Sequence, residues 1–412
     1  MKPWICSALL VAVGCLTASI RPGQAADQPP QFLEGLRDRG RYDEALEYLE
    51  QARDKPSVPE EFKQIIDFET AVTLIDLARI APQTSIREER LVEAGKRLQH
   101  FLSEYPTHDL ARSARMKLAD VLVERSRIQL QRAESAATSP EDRARSRSES
   151  RKLLQQAQEA LAAVEKMCVE RHQEFPKLIP AGRPKLYEQR QQVRADLLQS
   201  RLSLATLDYE MAKTYDPGSP ERNKFLSEAA EKYGLMYEKY SIYMAGLYAH
   251  MWQGRCYKEL GEPEKALEIF EDLLVELDNS PPFATLKGKA LILALETALS
   301  PAAKDDRRVI TRARDWLGSD DLGHPRNAHG LATRYEVGVG LLEAARPLKW
   351  DDARRSQYLE TAEAYLRHVA SYPGDFQEKA EARLAELGVT LPKSGEEDAT
   401  RQIRELPPIG RD

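Results

Sequence analysis

The sequence contains few of the residues that would interrupt helices or crosslink a fold. Its 412 residues include 21 glycines, 24 prolines and 4 cysteines. Glycine and proline are the residues that most destabilise a helix interior, and here they fall mostly between long runs of Ala, Leu, Glu, Arg and Gln. We therefore predict an almost entirely helical chain with an all-α fold.

The sequence also lacks an excess of charge of one sign. Lysine and arginine number 60 against 66 aspartates and glutamates, which gives a formal net charge of -6. A protein that binds nucleic acid concentrates positive charge to neutralise phosphates. The near balance of charge therefore argues against a nucleic-acid partner.

Long apolar runs are missing after the first segment, so no later stretch is predicted to span a bilayer. The first segment, MKPWICSALLVAVGCLTASIRPGQAADQPP, has a positive charge at Lys2, then an apolar stretch, then small residues. This order is typical of a secretory signal peptide over residues 1–25, with cleavage after Ala25 or Ala26. We therefore expect an exported protein, located in the periplasm or the cell envelope.

Two alternatives to simple cleavage stay open in this segment. The letters AVGC at residues 12–15 are similar to a bacterial lipoprotein processing site, in which Cys15 would carry the lipid. Ala12 stands where such sites usually carry Leu. The apolar stretch can also be retained as an uncleaved anchor. Membrane association is expected in these two cases alone.

Removal of the signal segment leaves two cysteines, Cys168 and Cys256. Each lies within a helical apolar pattern and far from the other in the chain. Unpaired cysteine behaves as a small hydrophobic residue. We therefore predict two buried free thiols rather than a disulfide.

The rest of the chain reads as helix pairs separated by helix breakers. Stretches such as EYPTHD, YDPGSPE and SYPGD fall where the chain should reverse. The periodicity predicts about seven antiparallel helix pairs and a last helix at about 375–388. The pairs are expected at about 30–54, 59–105, 108–175, 184–240, 243–278, 283–317 and 327–371.

The best-formed pair is AGLYAHMWQGRCYKELGEPEKALEIFEDLLVEL, within 243–278. Gly254 and Ala266 are small where two helices must approach closely, and Phe270 fills the space beside them. Gly261 permits the tight turn between the helices. Together with GRYDEALEYLEQA earlier in the chain, this pair resembles the tetratricopeptide repeat, whose pattern includes a small residue in one helix and A-x3-F in the next.

The resemblance implies a right-handed α-solenoid, because such a helix pair buries its apolar face by stacking on neighbouring pairs. The repeat domain is expected over 26–388, with the last helix as a cap and a disordered tail at 389–412. The charged pair at 108–175 predicts a long helical hairpin with coiled-coil character. The clearest repeats are 30–54, 86–106, 243–278 and 327–373.

Two repeat segments, EAGKRLQHFLSEYP and TAEAYLRHVASYP, end in Tyr-Pro. That ending looks like the repeats of bacterial envelope proteins, such as outer-membrane assembly lipoproteins and cell-division coordinators. The resemblance implies a role in the cell envelope.

Motifs of catalysis and cofactor binding are missing from the sequence. It has no phosphate loop, no G-x-S-x-G elbow and no H-E-x-x-H. The two histidines of HPRNAH lie near each other without a carboxylate or cysteine at a recognised metal-ligand spacing. Carboxylates on amphipathic helices usually form a solvated face. We therefore predict no cofactor, no metal and no enzymatic activity, with a hydrolase or enzyme subunit as the alternative.

The candidate binding surface lies in the aromatic stretch EKYGLMYEKYSIYMAGLYAHMWQGRCY. Tyr233, Tyr237 and Tyr240 share one helical stripe and are expected in the core. A different stripe, called the aromatic face below, is implied by the resemblance to line the concave groove where peptides bind. The aromatic face consists of Tyr248, Met251, Trp252, Arg255, Lys258 and Glu259.

Aromatic and arginine side chains are enriched at binding surfaces, and Arg255 and Lys258 can pair with acidic groups of a peptide. The same side chains also suit packing against a neighbouring helix, so both roles stay open at this point. The predicted function is a non-enzymatic scaffold outside the cytoplasm that binds a protein or peptide partner in its groove and organises a cell-envelope complex. The alternative is a lipid-anchored assembly or coordination factor for outer-membrane or cell-wall machinery.

Overall fold

The computed structural model describes residues 29–180, 182–276, 281–300, 302–303 and 328–389. Within these ranges every regular element is an α-helix, which confirms the predicted all-α fold. The helices are α1 (Pro29–Asp38), α2 (Tyr42–Asp54), α3 (Glu60–Gln64), α4 (Ile66–Arg79), α5 (Thr84–Glu104), α6 (Ala111–Glu134), α7 (Pro140–Gln173), α8 (Pro184–Ala212), α9 (Pro220–Tyr240), α10 (Met244–Leu260), α11 (Pro263–Glu276), α12 (Pro281–Ala298), α13 (Ala328–Ala345), α14 (Ala353–Ala370) and α15 (Gln377–Glu386).

The chain divides into two compact units, residues 1–121 and 122–412. In the first unit α1 packs on α2, α2 on α4, and α4 on α5. In the second unit each helix from α7 to α15 packs on the next helix that the structure describes. Packing between successive helices is what stacked helix pairs require, and it identifies an all-α, tetratricopeptide-like solenoid fold.

Local chemistry sets the helix ends. α7 and α9 begin with Pro140 and Pro220, each preceded by a serine whose hydroxyl accepts a hydrogen bond from the backbone two residues beyond the proline. α10 ends at Leu260 and is capped by Gly261, which has a φ of +78°, a left-handed conformation that glycine adopts at little cost. These residues therefore determine where the chain turns between consecutive helices.

The predicted pair at 59–105 is divided further than expected. It forms α3, α4 and α5, because the chain leaves the α-helical pattern at Ile65, whose N–H donates to the carbonyl of Phe62 three residues back at 3.1 Å. The second helix of the pair at 283–317, the signal segment 1–25 with Cys15, and the tail beyond Val389 lie outside the described residues.

The core of the second unit forms around α11. Ala266, Phe270 and Leu273 are fully buried, and α11 packs on both α10 and α12. A Cβ atom at Gly254 would lie 2.6 Å from Cε1 of Phe270, which is closer than van der Waals contact allows. The predicted close approach of these two helices at a glycine is therefore confirmed.

Both described cysteines are buried thiols that form no disulfide within the described residues, as predicted. Burial, with the charge of Glu259 adding to it, raises the pKa of the Cys256 thiol. A thiol that stays protonated and shielded from solvent is a weak nucleophile, so Cys256 acts here as a packing residue.

The charged segment 108–175 forms α6 and α7, and Oγ of Ser126 on α6 lies 2.7 Å from Oγ of Ser150 on α7. α7 also packs along α8. Several buried side chains of α7 recur at seven-residue intervals, as they do in a coiled coil. The coiled-coil character of this segment stays a prediction. The buried residues of α7 are Ser150, Leu153, Leu154, Ala157, Leu161, Val164 and Cys168.

Candidate functional site

The aromatic face lies on α10, between two alternate helices of the second unit. α10 packs on α9 and α11, which precede and follow it, and it also touches α8 and α12. Contacts between alternate helices are expected when successive helix pairs stack with their first helices side by side. The first helices of three successive pairs therefore adjoin at this face.

Met251 belongs to the core rather than to the surface. It is 4% exposed and lies in a hydrophobic cluster with Leu247, Phe270 and Leu291. A side chain with so little exposed area has no surface to offer a partner. The expectation that Met251 lines a groove is therefore replaced by a packing role, because α11 and α12 cover this part of α10.

Trp252 and Arg255 form a stack with Tyr209 of α8. The indole ring meets the Tyr209 ring edge-on with centroids 5.3 Å apart, and it lies nearly parallel to the Tyr233 ring at 6.4 Å. The guanidinium of Arg255 lies 4.9 Å from the Trp252 ring centroid and 5.2 Å from that of Tyr209. This cation–π arrangement holds the Arg255 side chain in place.

Glu259 connects α8, α9 and α10. Its carboxylate accepts a hydrogen bond from the Tyr209 hydroxyl and another from Nη2 of Arg222 at 2.8 Å. Burial, reinforced by the Glu259 charge, raises the pKa of the Tyr209 phenol, so this hydroxyl remains a donor. Glu259 therefore serves the fold, and little of its charge is left for a partner.

Lys258 is likewise engaged within the protein. Its ammonium forms an ion pair with Glu296 of α12. At the start of the face, Nζ of Lys289, also on α12, lies 5.3 Å from the Tyr248 ring centroid. Tyr248 itself is partly buried against the same hydrophobic cluster as Met251. Two members of the face therefore attach α10 to α12.

Near this ion pair lies a buried carboxyl group whose pKa is raised. Glu336 of α13 is 7% exposed, and burial, followed by the charge of Glu296, raises its pKa to about 7. Paired, desolvated carboxylates are also a feature of hydrolases. Because so little of Glu336 reaches solvent, a substrate has almost no access to it, and we assign it no catalytic role.

Among the charged residues of the aromatic face, Arg255 is the most accessible to a partner protein. Its side chain is 37% exposed, against 25% for Lys258 and 21% for Glu259. Its ion pair with Glu259 is long, at 3.7 Å from Nε to Oε1. The face thus presents one exposed guanidinium stacked on the partly exposed ring of Trp252. The partly exposed ring of Tyr248 lies two helical turns away along α10.

Tyr209, Arg222 and Glu296 contact this face but are not predictable from the sequence. These residues lie on three other helices, and nothing in the local pattern around α10 indicates them. One available signal is that α8 and α10 occupy equivalent places in successive pairs, so an aromatic residue near the end of α8 is placed to meet one on α10.

The described residues include no group of three His, Cys, Asp or Glu side chains placed to hold a metal ion. Among the helices that the structure describes, none is both long and apolar enough to cross a membrane.

A comparison with protein families matches residues 248–280 to the tetratricopeptide repeat. The matched segment begins at Tyr248 and includes the Gly261 turn and Phe270. A comparison with curated proteins found no match. Tetratricopeptide-type helix pairs are repeat modules that present binding surfaces to other proteins. We conclude that α10 and α11 form a tetratricopeptide repeat within a chain of tetratricopeptide-like helical packing.

Proposed function

We propose that this protein is a non-enzymatic interaction scaffold that binds a segment of a partner protein on the aromatic face. The observation that carries the proposal is the Tyr209–Trp252–Arg255 stack, which holds an exposed guanidinium over two rings. A side chain already ordered by stacking loses little conformational entropy on binding. Arginine also offers a planar, bidentate contact to a carboxylate.

The chemistry of the face defines the segment that it would bind. Arg255 would take an acidic group, while the partly exposed rings of Tyr248 and Trp252 would contact an apolar or aromatic side chain beside it. Lys258 and Glu259 would hold α10 in register with its neighbours rather than contact the partner, because each is already paired inside the protein.

We further propose that the protein is exported and organises a complex in the cell envelope. The support is the sequence of residues 1–25, with its apolar stretch followed by small residues. The alternative is a lipid-anchored assembly or coordination factor with Cys15 as its first residue. The mass of the mature N-terminus distinguishes them: cleavage after Ala25 or Ala26 supports the first, and an acylated Cys15 supports the second. An intact chain found in the membrane fraction would support the uncleaved anchor, and an intact chain in the cytoplasm would contradict export.

The binding role is tested by Arg255→Glu, because this change reverses the exposed charge without removing core atoms. Arg367→Glu on α14 is a matched control, since Arg367 is also a half-exposed arginine in an ion pair four residues away, to Glu363 at 2.8 Å. Each protein would be used for affinity capture from an envelope fraction, with the retained proteins identified by mass spectrometry.

We expect a protein that the wild type and Arg367→Glu retain and that Arg255→Glu loses while still folded. Equal retention by all three proteins would show that the partner binds elsewhere. Trp252→Ala is a poor probe of binding, because Trp252 packs against two hydrophobic clusters and its removal would also weaken the fold.

A further inference from the structure

A cavity of about 740 Å³ opens in the second unit between the end of α7, the middle of α8 and the end of α9. No residue of the aromatic face lines it, so it is a separate site. Its apolar lining includes Phe175, Leu197 and Leu198, with Leu198 buried. Its basic lining residues are Lys177, Arg190, Arg194, Arg201 and Lys239.

The positive charge of this cavity is largely uncompensated. None of the described lining residues is an aspartate or a glutamate. Arg201 is neutralised by Glu165, with 2.8 Å between Nε and Oε1, and it also donates to the Tyr240 hydroxyl at 3.0 Å. Arg201 therefore ties α7, α8 and α9 together at the wall of the cavity.

The other cations have neutral partners. Arg190 donates to the backbone carbonyls of Pro176 and Lys177, at 3.4 and 3.3 Å. Arg194 donates to the Tyr243 hydroxyl at 2.5 Å and lies over that ring. These contacts hold both guanidinium groups at the cavity and leave their charge unpaired.

Two lysines at the rim add to this charge. Nζ of Lys239 lies 5.5 Å from the Tyr240 ring centroid, and Lys177 is exposed in the loop between α7 and α8. Neither lysine forms an ion pair with a carboxylate of the described chain, whereas most of the described arginines on helix surfaces do. The cavity therefore concentrates four unneutralised cations in a protein whose net charge is negative.

The length of this site along α8 indicates the shape of a ligand. The unneutralised Arg190 and the buried Leu198 lie eight residues apart on α8, which at 1.5 Å per residue is about 12 Å along the helix axis. An extended polypeptide covers that distance with about four residues. The ligand that fits is therefore elongated, negatively charged and partly apolar.

We propose that this cavity binds an acidic segment of a polypeptide, with carboxylates at Arg190, Arg194 and the two rim lysines and an apolar side chain against Leu197 and Leu198. A bilayer surface is flat on this scale and does not reach a buried floor residue such as Leu198. The two sites share no residue, so this proposal goes beyond the one for the aromatic face. Each of the two proposals can be refuted without refuting the other.

The test uses the full mature chain and a fluorescein-labelled peptide, Glu-Leu-Glu-Glu-Leu-Glu, in fluorescence anisotropy titrations. The control peptide replaces each Glu with Gln. The test variant, Lys177→Glu with Lys239→Glu, reverses two exposed charges that make no ion pair with a described residue. The control variant, Lys152→Glu with Lys349→Glu, makes the same change in charge at two exposed lysines that do not line the cavity.

We expect saturable binding of the acidic peptide to the wild type and to the control variant, and at least tenfold weaker binding to the test variant with an unchanged circular dichroism spectrum. Arg190→Gln should weaken binding as well, because it removes one of the four unneutralised cations. The affinity should fall as salt is added, since charge pairing dominates.

Equal affinity for the Gln peptide, or equal affinity of the two lysine variants, would overturn the proposal. Tighter binding to vesicles containing phosphatidylglycerol than to the acidic peptide, lost in the test variant, would also overturn it by assigning the site to a lipid surface. A loss of peptide binding in Arg255→Glu alone would assign the acidic segment to the aromatic face instead.

Discussion

Glu336 provides a quantitative test of the packing in the second unit. The carboxyl group is nearly buried among α10, α12, α13 and α15, and the charged groups that act on it are Glu296, Lys258, Lys379 and Arg383. Burial and the Glu296 charge outweigh the three cations, and together they raise its pKa from 4.5 to about 7. The folded protein therefore keeps a proton on Glu336 at a pH where the unfolded chain has lost it.

The direction of the effect on stability follows from this difference. Between about pH 4.5 and pH 7 the folded state binds more protons than the unfolded state, so the free energy of unfolding falls as the pH rises. At about 1.4 kcal/mol per pKa unit, ionising Glu336 in the folded protein costs about 3 kcal/mol above pH 7. Below pH 4.5 the cost is absent.

The perturbation is Glu336→Gln, which keeps the shape of the side chain and removes the ionisation. Urea-induced unfolding, followed by circular dichroism between pH 4 and pH 8, gives the free energy of unfolding for the variant and the wild type. We expect the variant to be more stable by up to about 3 kcal/mol at pH 8, and the advantage to disappear toward pH 4. Glu360→Gln, at an exposed position on α14, is the control and should show no such trend.

A difference between Glu336→Gln and the wild type that does not depend on pH would refute this reasoning. It would mean that the carboxyl group titrates alike in the folded and unfolded states, and so that α13 does not pack on its neighbours as described. A variant that is less stable at every pH would show that the Glu336 carboxylate makes a favourable contact that glutamine cannot replace.

Three further substitutions test other parts of the packing by the same unfolding assay. Gly254→Ala should destabilise the protein by about 1–2 kcal/mol, because its Cβ would lie 2.6 Å from Phe270. As a control, Gly35→Ala, with open space around it, should stabilise α1 by up to about 1 kcal/mol. A stabilised Gly254→Ala would contradict the close approach of α10 and α11. Asp67→Asn should cost about 2–3 kcal/mol at pH 7, because Asp67 is 8% exposed and accepts hydrogen bonds from Arg53, Arg97 and His100. Burial alone would raise the Asp67 pKa, but these partners lower it below 3.8. The difference in free energy of unfolding between the wild type and Asp67→Asn should therefore persist near neutral pH and vanish as the pH falls through the folded-state pKa. A difference that grows in acid would contradict a lowered pKa for Asp67.

The helices and turns follow from local chemistry, and the sequence was a good guide to them. Pro140 and Pro220 supply first-turn residues behind serine caps, and Gly261 supplies the left-handed turn residue. The close approach of Gly254 and Phe270 was also predictable, because one side chain must be missing where two helices touch. Each of these features depends on residues that are near in the chain or within one helix pair.

The roles of the aromatic face could not be assigned from the sequence alone. Helical periodicity gives the side of α10 on which Met251, Lys258 and Glu259 lie, but not which helices cover that side. Their surroundings come from α8, α9, α11 and α12, and these buried Met251 and paired the two charged residues. Arg255 alone among the charged members was left substantially exposed.

The basic cavity could not be predicted from the sequence for a related reason. In the sequence, the arginines of α8 alternate with acidic residues such as Glu188 and Asp196, so the segment reads as a balanced, solvated surface. Folding brings Arg190 and Arg194 to the side that faces the end of α7, while neither of those acids lines the cavity. A count of charges along the sequence cannot show which of these residues line the cavity.

The most direct test of the interaction role is site-specific photocrosslinking in living cells, with a photoreactive side chain installed at position 255 or, as the control, at position 367. Adducts would be purified and the crosslinked protein identified by mass spectrometry. We predict a defined adduct with one partner protein from position 255, and none with that protein from position 367. Adducts of one defined partner from position 367, with none from position 255, would contradict the claim that the aromatic face is the binding surface.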